Sequence, residues 1–356
     1  MHSFQAAMSL VLVYFKAAAA HSWLEQLSNV ASNGSFVAGY GYPRGFVDKG
    51  APSFDQSANV WLLPPLEQQP PFVSHANFLC HPSQRIANQS ASYPRLQTVP
   101  GGMVAMRYAE NGHATIPDGG RNLMGKPEKG GTVFVFGTQR PRQDEILLDV
   151  LQWTRDGLGG DRRGFLLASQ NFDDGRCYQL GNGAALANSR KEQTPNALPG
   201  QPGSEHELLC ETDVRVPGNV QVGKPYTMYW VWQWPNAPGK DHNYPSGKDE
   251  YYTSCVDVDI SALSLQPQQL EHPIIQQDPM PTAVSDFQSR SALTTDPLVL
   301  YSASAFGGLF DPQRLRLARP MACTSVGVQA IKATEVAAAP TASLTSVAIL
   351  TSGVRS

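Results

Sequence analysis

The segment "KPYTMYWVWQWP" (residues 224–235) decides the fold class, because it has the composition and the alternation of a β-strand. Aromatic and β-branched residues favour strands, and a period of two places Trp230, Trp232 and Trp234 on one face. The segments "GTVFVFGT" (131–138) and "YYTSCVDVDI" (251–260) have the same character. The sequence therefore predicts several short strands.

The segments between these strands are rich in Pro, Gly and Asn, as in "NALPGQPGSEHE" and "PNAPGKDHNYPSGKD", which is typical of loops. Apolar residues at helical spacing predict one helix over residues 142–154. Many short strands with long loops indicate a mostly β protein. We expect an immunoglobulin/fibronectin-III-like β-sandwich with long decorating loops.

The composition separates this chain from several classes of protein. Of its 356 residues 16% are charged, and it contains 31 Gly and 28 Pro, which fits a loop-rich secreted β protein better than a helical cytosolic one. A net charge of -3 without a run of Lys or Arg argues against a nucleic acid or an anionic membrane as partner. The sequence contains no second long apolar segment, so we expect no membrane span.

The N-terminus has the pattern of a secretion signal. Residues 6–15 ("AAMSLVLVYF") form a short apolar core, and Ala18-Ala19-Ala20 has the small residues of a cleavage site. The alternative is a buried amphipathic first helix. We expect cleavage after Ala20 and a secreted, extracellular protein. The sequons at Asn33 and Asn88 are compatible with a glycoprotein.

The predicted chain has three parts. Residues 1–20 are the signal peptide, and residues 21–263 are the folded domain, which we expect to be monomeric. Residues 264–356 are a largely disordered extension rich in Pro, Ser, Ala and Thr. Five cysteines are present, and an oxidising environment favours pairing four of them, for which three connectivities are possible. The odd cysteine is Cys323, in the extension.

The predicted cleavage has a chemical consequence at His21. A chain that begins there carries a free α-amino group and an imidazole on one residue, and the two nitrogens can chelate a metal ion. Copper accepts nitrogen donors in a nearly flat arrangement, so a second histidine is needed. We choose His113, in "RYAENGHATIP", over His81, His206, His242 and His272. The sequence thus predicts one mononuclear copper ion.

These features resemble those of lytic polysaccharide monooxygenases: an N-terminal histidine after a signal peptide, an interior histidine after glycine, and the late strand "DEYYTSCVDVDI". The resemblance implies that Tyr252 occupies the axial position of the copper and that Glu250 hydrogen-bonds a copper-bound oxygen species. It also implies a disulfide between Cys80 and Cys255, which leaves Cys177 to pair with Cys210. Since residues two apart on a strand share a face, Glu250 is able to flank Tyr252.

The segments "HSWLEQL", "ENGHAT" and "YWVWQWP" are most similar to those of a group of uncharacterised fungal secreted proteins with a histidine brace. Ala114 and Thr115 follow His113, where cellulose-active members usually have Gly-Pro; this is more similar to the chitin-active type. The three tryptophans of residues 230–234 either pack in the core or relay oxidising equivalents from the copper.

The resemblance implies a secreted copper monooxygenase that cleaves chitin, cellulose or hemicellulose, with an external electron donor and a polysaccharide surface as partners. Two other hypotheses remain. The first is a copper-binding or uptake protein on the same scaffold without catalysis. The second is a structural cell-surface protein whose N-terminal histidine is incidental. An enzyme needs Glu250 and a flat exposed surface around the copper, and a carrier does not.

Overall fold

The computed structural model describes residues 21–52, 54–116, 125–201, 203–263, 265 and 276–290. All of them belong to a unit that spans residues 1–319, and the second unit, residues 320–356, lies outside them. The predicted signal peptide, His272, Cys323 and most of the predicted extension also lie outside the described residues.

The described chain is mostly β. Its strands are β1 (Leu24–Val30), β2 (Phe36–Gly41), β3 (Leu62–Leu63), β4 (Leu96–Thr98), β5 (Met103–Tyr108), β6 (Thr132–Thr138), β7 (Phe165–Asn171), β8 (Cys210–Arg215), β9 (Tyr226–Gln233) and β10 (Tyr251–Ile260). One sheet has the order β2-β1-β5-β8, and the other has the order β3-β10-β9-β6-β7, with β4 added beside β10. Neighbouring strands are antiparallel except β4 and β10. The expected β-sandwich with long loops is confirmed.

Helices are short in the described residues: α1 (Leu147–Val150), α2 (Ala185–Gln193) and α3 (Phe287–Arg290). The helix predicted over residues 142–154 is therefore reduced to α1. The backbone around the start of α1 forms hydrogen bonds with a distant loop instead of continuing the helix. The Glu145 carbonyl accepts from the Leu79 amide, and the Leu147 amide donates to the Asn77 carbonyl. None of the helices in the described part of the chain is long and apolar enough to cross a bilayer.

The space between the two sheets is filled by side chains at alternating strand positions. On β9, Met228, Trp230 and Trp232 point into this space, and Trp234 follows them just beyond the strand. On β10, Tyr252, Val256 and Val258 do the same. The predicted common face of the three tryptophans is thus the inner face of a sheet, and burial of aromatic area there stabilises the sandwich.

The opposite face of the second sheet is also buried. Phe134 and Phe136 of β6 and Tyr229 and Val231 of β9 pack against side chains of the loops around residues 63–80 and of residues 147–153. With both faces covered, these strands lose the apolar-polar alternation of a half-exposed sheet. The long loops therefore serve as covering layers.

The first sheet is covered by a segment that the sequence analysis placed beyond the domain. Ala283, Val284 and Phe287 are buried against Phe36 of β2 and Ala105 of β5. The expected boundary at residue 263 is therefore too early, because residues 276–290 supply apolar side chains that the sheet needs on its outer face. The rest of the domain division stays a prediction.

Two disulfides stabilise the sandwich. Cys80 pairs with Cys255, which ties a covering loop to β10, and Cys177 pairs with Cys210 at the start of β8. These are the two pairs that the resemblance implied. Cys80 and Cys255 are separated by 175 residues, and a link across so long a loop strongly restricts the unfolded chain.

Candidate functional site

His21 is held beside the turn that carries His113. Ser22 Oγ donates a hydrogen bond to the Ala109 carbonyl over 2.8 Å, and the Asn111 side-chain amide donates to the His21 carbonyl. Leu24, at the start of β1, pairs with Tyr108, at the end of β5. The register of two neighbouring strands therefore brings residue 21 to residues 109–116, which we call the His113 loop.

The His113 loop is built around the carboxylate of Glu110. One oxygen of this buried side chain accepts hydrogen bonds from the Ala114 and Thr115 amides at 2.9 and 3.1 Å, and the other accepts from the Thr115 hydroxyl and the Gln179 amide. The His113 amide donates to the Glu110 carbonyl over 2.8 Å. The backbone on both sides of His113 is thus fixed by one residue.

The imidazole of His113 is packed among aromatic rings and is 8% exposed. Its centroid lies 4.3 Å from that of Trp234, 5.0 Å from Trp232 and 6.1 Å from Phe172. The pKa of His113 is lowered to about 3, chiefly by burial; the charge of Glu250 opposes this shift, and the charges of Lys126 and His21 add to it. The ring is therefore neutral at neutral pH.

One nitrogen of this ring has an unusual environment. Nε2 of His113 is buried and has no hydrogen-bond partner in the described structure. A buried polar atom without a partner costs free energy, and a neutral imidazole nitrogen of this kind is a suitable metal ligand.

Tyr252 and Glu250 lie on one face beside this ring. Tyr252 stacks on Trp232 with centroids 4.9 Å apart, and its hydroxyl donates to Glu250 Oε1 over 2.8 Å. Burial raises the pKa of Tyr252 well above its ordinary value, and the charge of Glu250 acts in the same direction. Tyr252 is 2% exposed and Glu250 5%. The hydroxyl is thus a neutral donor to the carboxylate.

The sequence analysis missed two lysines at Glu250. Lys126 Nζ donates to Glu250 Oε2 over 2.8 Å, and Lys248 Nζ does so over 3.1 Å. Burial favours the protonated form of Glu250, but the charges of Lys126 and Lys248 and the hydrogen bonds of Lys126 and Tyr252 keep its pKa below the ordinary value. Lys248, Glu250 and Tyr252 are two residues apart, so the spacing of an extended chain could have predicted that Lys248 lies on the same face as Glu250. No local signal pointed to Lys126.

The other histidines considered above have different surroundings. His81 Nδ1 interacts with the Ser83 hydroxyl at 2.7 Å, and His206 Nδ1 with the Glu207 carbonyl at 2.7 Å. The side chain of His242 is 92% exposed. Among the candidate histidines in the described part of the chain, His113 alone has a buried ring nitrogen, Nε2, without a hydrogen-bond partner.

A second group of potential metal ligands is used structurally. The side chains of Asp174, Cys177 and Cys210 converge, but the two sulfurs form a disulfide. The Asp174 carboxylate accepts hydrogen bonds from the amides of Arg176, Cys177 and Glu211. The two sulfurs are therefore not thiolate ligands, and the disulfide anchors the turn that contains Cys177.

Replacing Glu110 tests the support of His113. For the copper site that the sequence predicts on a chain beginning at His21, we expect Glu110→Ala to lower the copper affinity about 10- to 100-fold, as is typical when a group supporting a ligand is removed. The Ala114, Thr115 and Gln179 amides would lose their shared acceptor, and the loop would no longer hold the ring. Competition with a copper chelator measures the affinity. Glu128→Ala, at an exposed acidic residue, is the control, and equal affinities of the two variants would contradict the prediction.

Solved structures with some likeness to this chain are polysaccharide monooxygenases. One, titled "X-Ray photoreduction of Polysaccharide monooxygenase CBM33", is 10% identical over 54% of this chain and 77% of that chain, with a TM-score of 0.23. A cellulose-active polysaccharide monooxygenase from M. thermophila is 12% identical over 70% and 82%, with a TM-score of 0.27. HiLPMO9B is 9% identical over 70% and 82%, with a TM-score of 0.26. At such values these likenesses assign no residue and no activity to this chain.

Comparisons of sequence identify the family. No curated protein matches the chain, and the narrower resemblance to fungal proteins with a leading "HSW" stays a prediction. A family model matches residues 18–285, which is more than half of the chain and includes His21, His113, Glu250 and Tyr252. The chain therefore belongs to the family described as "Domain of unknown function (DUF7492)".

Proposed function

We propose that the mature protein begins at His21 and binds one copper ion through the His21 amine, the His21 imidazole and the imidazole of His113. The observation that carries this proposal is the buried, unpartnered Nε2 of His113 in a loop that is hydrogen-bonded to residues 21 and 22. Until the peptide bond after Ala20 is cut, the His21 nitrogen is an amide, so processing would complete the donor set.

The residues present fit copper. Imidazole and amine nitrogens suit Cu(II), and a ligand must be deprotonated to bind a metal. The low pKa of His113 meets this requirement because it keeps the ring neutral. A neutral imidazole carries one proton, so Nε2 is free to bind a metal when that proton is on Nδ1. Tyr252, the other ligand that the resemblance implies, keeps its proton on Oη toward Glu250.

The activity we propose is oxidation of a polysaccharide by a secreted monooxygenase, with chitin, cellulose or hemicellulose as substrate and an external electron donor. Bound copper would supply one-electron redox chemistry that lets peroxide or oxygen attack a C–H bond at a glycosidic linkage. The chain's own contribution is to hold the two histidines, to exclude water with Trp232 and Trp234, and to keep the Tyr252 proton on its oxygen.

A carrier without catalysis is the second candidate, and one observation favours it. Three donors already occupy the Glu250 carboxylate, one on Oε1 and two on Oε2, so only about one of its four acceptor positions remains for a reacting group. A structural surface protein, the third hypothesis, requires neither processing at His21 nor copper. The proposed copper protein is secreted and is glycosylated at Asn33 and Asn88, both of which are exposed.

The test begins with the secreted protein. We expect its intact mass to show a chain that starts at His21, and a copper titration followed by electron paramagnetic resonance to show one tightly bound Cu(II) with nitrogen couplings. Incubation with each polysaccharide, a reductant and peroxide should then release oxidised oligosaccharides. Tight copper without such products would favour the carrier, and a different N-terminus or no tight copper would contradict both copper functions.

A further inference from the structure

The carboxylate of Glu250 is surrounded by three donors, two from its own segment and one from a distant loop. Oε1 accepts from the Tyr252 hydroxyl over 2.8 Å, and Oε2 accepts from Lys126 over 2.8 Å and from Lys248 over 3.1 Å. The Lys126 and Lys248 side chains are 6% and 14% exposed. Hydrogen bonds between charged groups are about twice as strong as neutral ones, so this cluster fixes the direction of the carboxylate.

Lys126 also contacts the aromatic wall of His113. Its Nζ donates to the Trp234 carbonyl over 2.7 Å and lies 3.8 Å from the centroid of the Trp234 ring. That ring is in turn 4.3 Å from the His113 ring. A cation over an indole face is attracted to it, more so when desolvated. Lys126 therefore contacts both the acceptor of the Tyr252 proton and the ring that packs on His113.

The two lysines differ in what else they contact. Lys248 lies over the Tyr244 ring at 5.3 Å, in the loop that precedes β10. Lys126 comes from the loop before β6, and the adjacent Gly125 carbonyl accepts a hydrogen bond from the Ala237 amide over 2.8 Å. Lys126 is thus the residue that links the loop before β6 to β10 beside the candidate ligands.

We propose that Lys126 is a positioning residue of the candidate copper site, which holds Glu250 and Trp234 in place and through them orients the Tyr252 hydroxyl and the His113 ring. The proposal rests on the copper site proposed above. Without Lys126, the buried carboxylate keeps only Lys248 as a cationic partner, and a buried charge that loses its partner drives rearrangement. Tyr252 and Trp234 would then lose their fixed neighbours together.

The test compares Lys126→Met, Lys126→Gln and Lys126→Arg with Lys129→Met, an exposed lysine of the same segment. In the metal-free mature protein, we expect the His113 ring resonances to shift and broaden in the Met and Gln variants and to return toward wild type in Lys126→Arg. Lys129→Met should leave them unchanged. In the copper-loaded protein, the Met and Gln variants should alter the nitrogen couplings and weaken copper binding about tenfold.

The outcomes separate this proposal from the one on which it rests. Unchanged His113 resonances in Lys126→Gln, or equal changes in Lys129→Met, would overturn the positioning role. Should Lys126→Met fail to fold, Lys126→Gln decides, because it retains a donor for the Trp234 carbonyl. If the wild-type protein binds no copper, the proposed function fails, while the resonances of the metal-free variants still decide whether Lys126 positions His113.

Discussion

Replacing Arg107 by methionine should lower the free energy of unfolding by about 3–5 kcal/mol, the range found when one partner of a buried ion pair is removed. Arg107 on β5 and Asp278 are both fully buried, with Nη2 and Oδ2 2.7 Å apart. The Asp278 carboxylate also accepts from the Asn196 side chain and from the Leu209 and Met280 amides. With Arg107 gone, these neutral donors would face an uncompensated charge.

The loss of Arg107 should also release the segment that covers the first sheet. Asp278 lies near the start of this segment, and Ala283, Val284 and Phe287 follow it in the apolar layer over β2 and β5. We therefore expect residues 276–290 to show faster amide exchange in Arg107→Met before the whole protein unfolds.

The measurement is urea unfolding followed by tryptophan fluorescence, with the disulfides intact. Lys191→Met is the matched control, because Lys191 and Glu205 form an exposed pair at 2.9 Å, and such pairs contribute at most about 1 kcal/mol. An unfolding midpoint of Arg107→Met equal to that of Lys191→Met would show that the buried pair does not hold the segment.

The sequence was sufficient for the strands that form the centre of the sandwich. Residues 251–260 form β10 over their whole length, and the strands predicted within residues 131–138 and 224–235 are β6 and β9. These segments are so rich in aromatic and β-branched residues that they favour a strand over a helix. The helix at residues 142–154 was overestimated, since the covering loop binds its first backbone groups, and apolar spacing does not register such tertiary contacts.

The outer layer could not be predicted for a related reason. Residues 276–290 contain few apolar residues. They cover the first sheet because Asp278 pairs with Arg107, which is 171 residues away in the sequence. Composition identifies low-complexity segments but does not reveal a single buried ion pair. The domain boundary was therefore placed too early.

The site was predictable in part. His21, His113, Glu250 and Tyr252 were proposed from their positions in the sequence. The structure packs the His113 and Tyr252 rings against Trp232, bonds Tyr252 to Glu250, and holds residues 21 and 22 against the His113 loop. Glu110 and Lys126 were not, because their roles depend on three-dimensional contacts: Glu110 turns back onto its own loop, and Lys126 reaches Glu250 across 124 residues.

Replacing His113 by alanine should reduce the copper affinity of the mature protein by more than about 100-fold, because removal of a residue that merely supports a ligand already costs about 10- to 100-fold. The His21 amine and imidazole would remain and would bind copper weakly as a pair. The ring of His113 is buried against Trp232 and Trp234, so its loss also leaves a cavity. A folded variant is therefore a precondition, which near-ultraviolet circular dichroism checks.

His206→Ala is the control for the loss of an imidazole, since His206 bonds the Glu207 carbonyl and is not part of the site. His113→Gln keeps part of the side-chain volume while removing the imidazole, and it should lose copper as His113→Ala does. If both His113 variants fold and bind copper as tightly as His206→Ala, the second imidazole comes from elsewhere in the chain. The unpartnered Nε2 would then require another explanation, because a buried nitrogen left without a partner or a metal destabilises the fold that holds it.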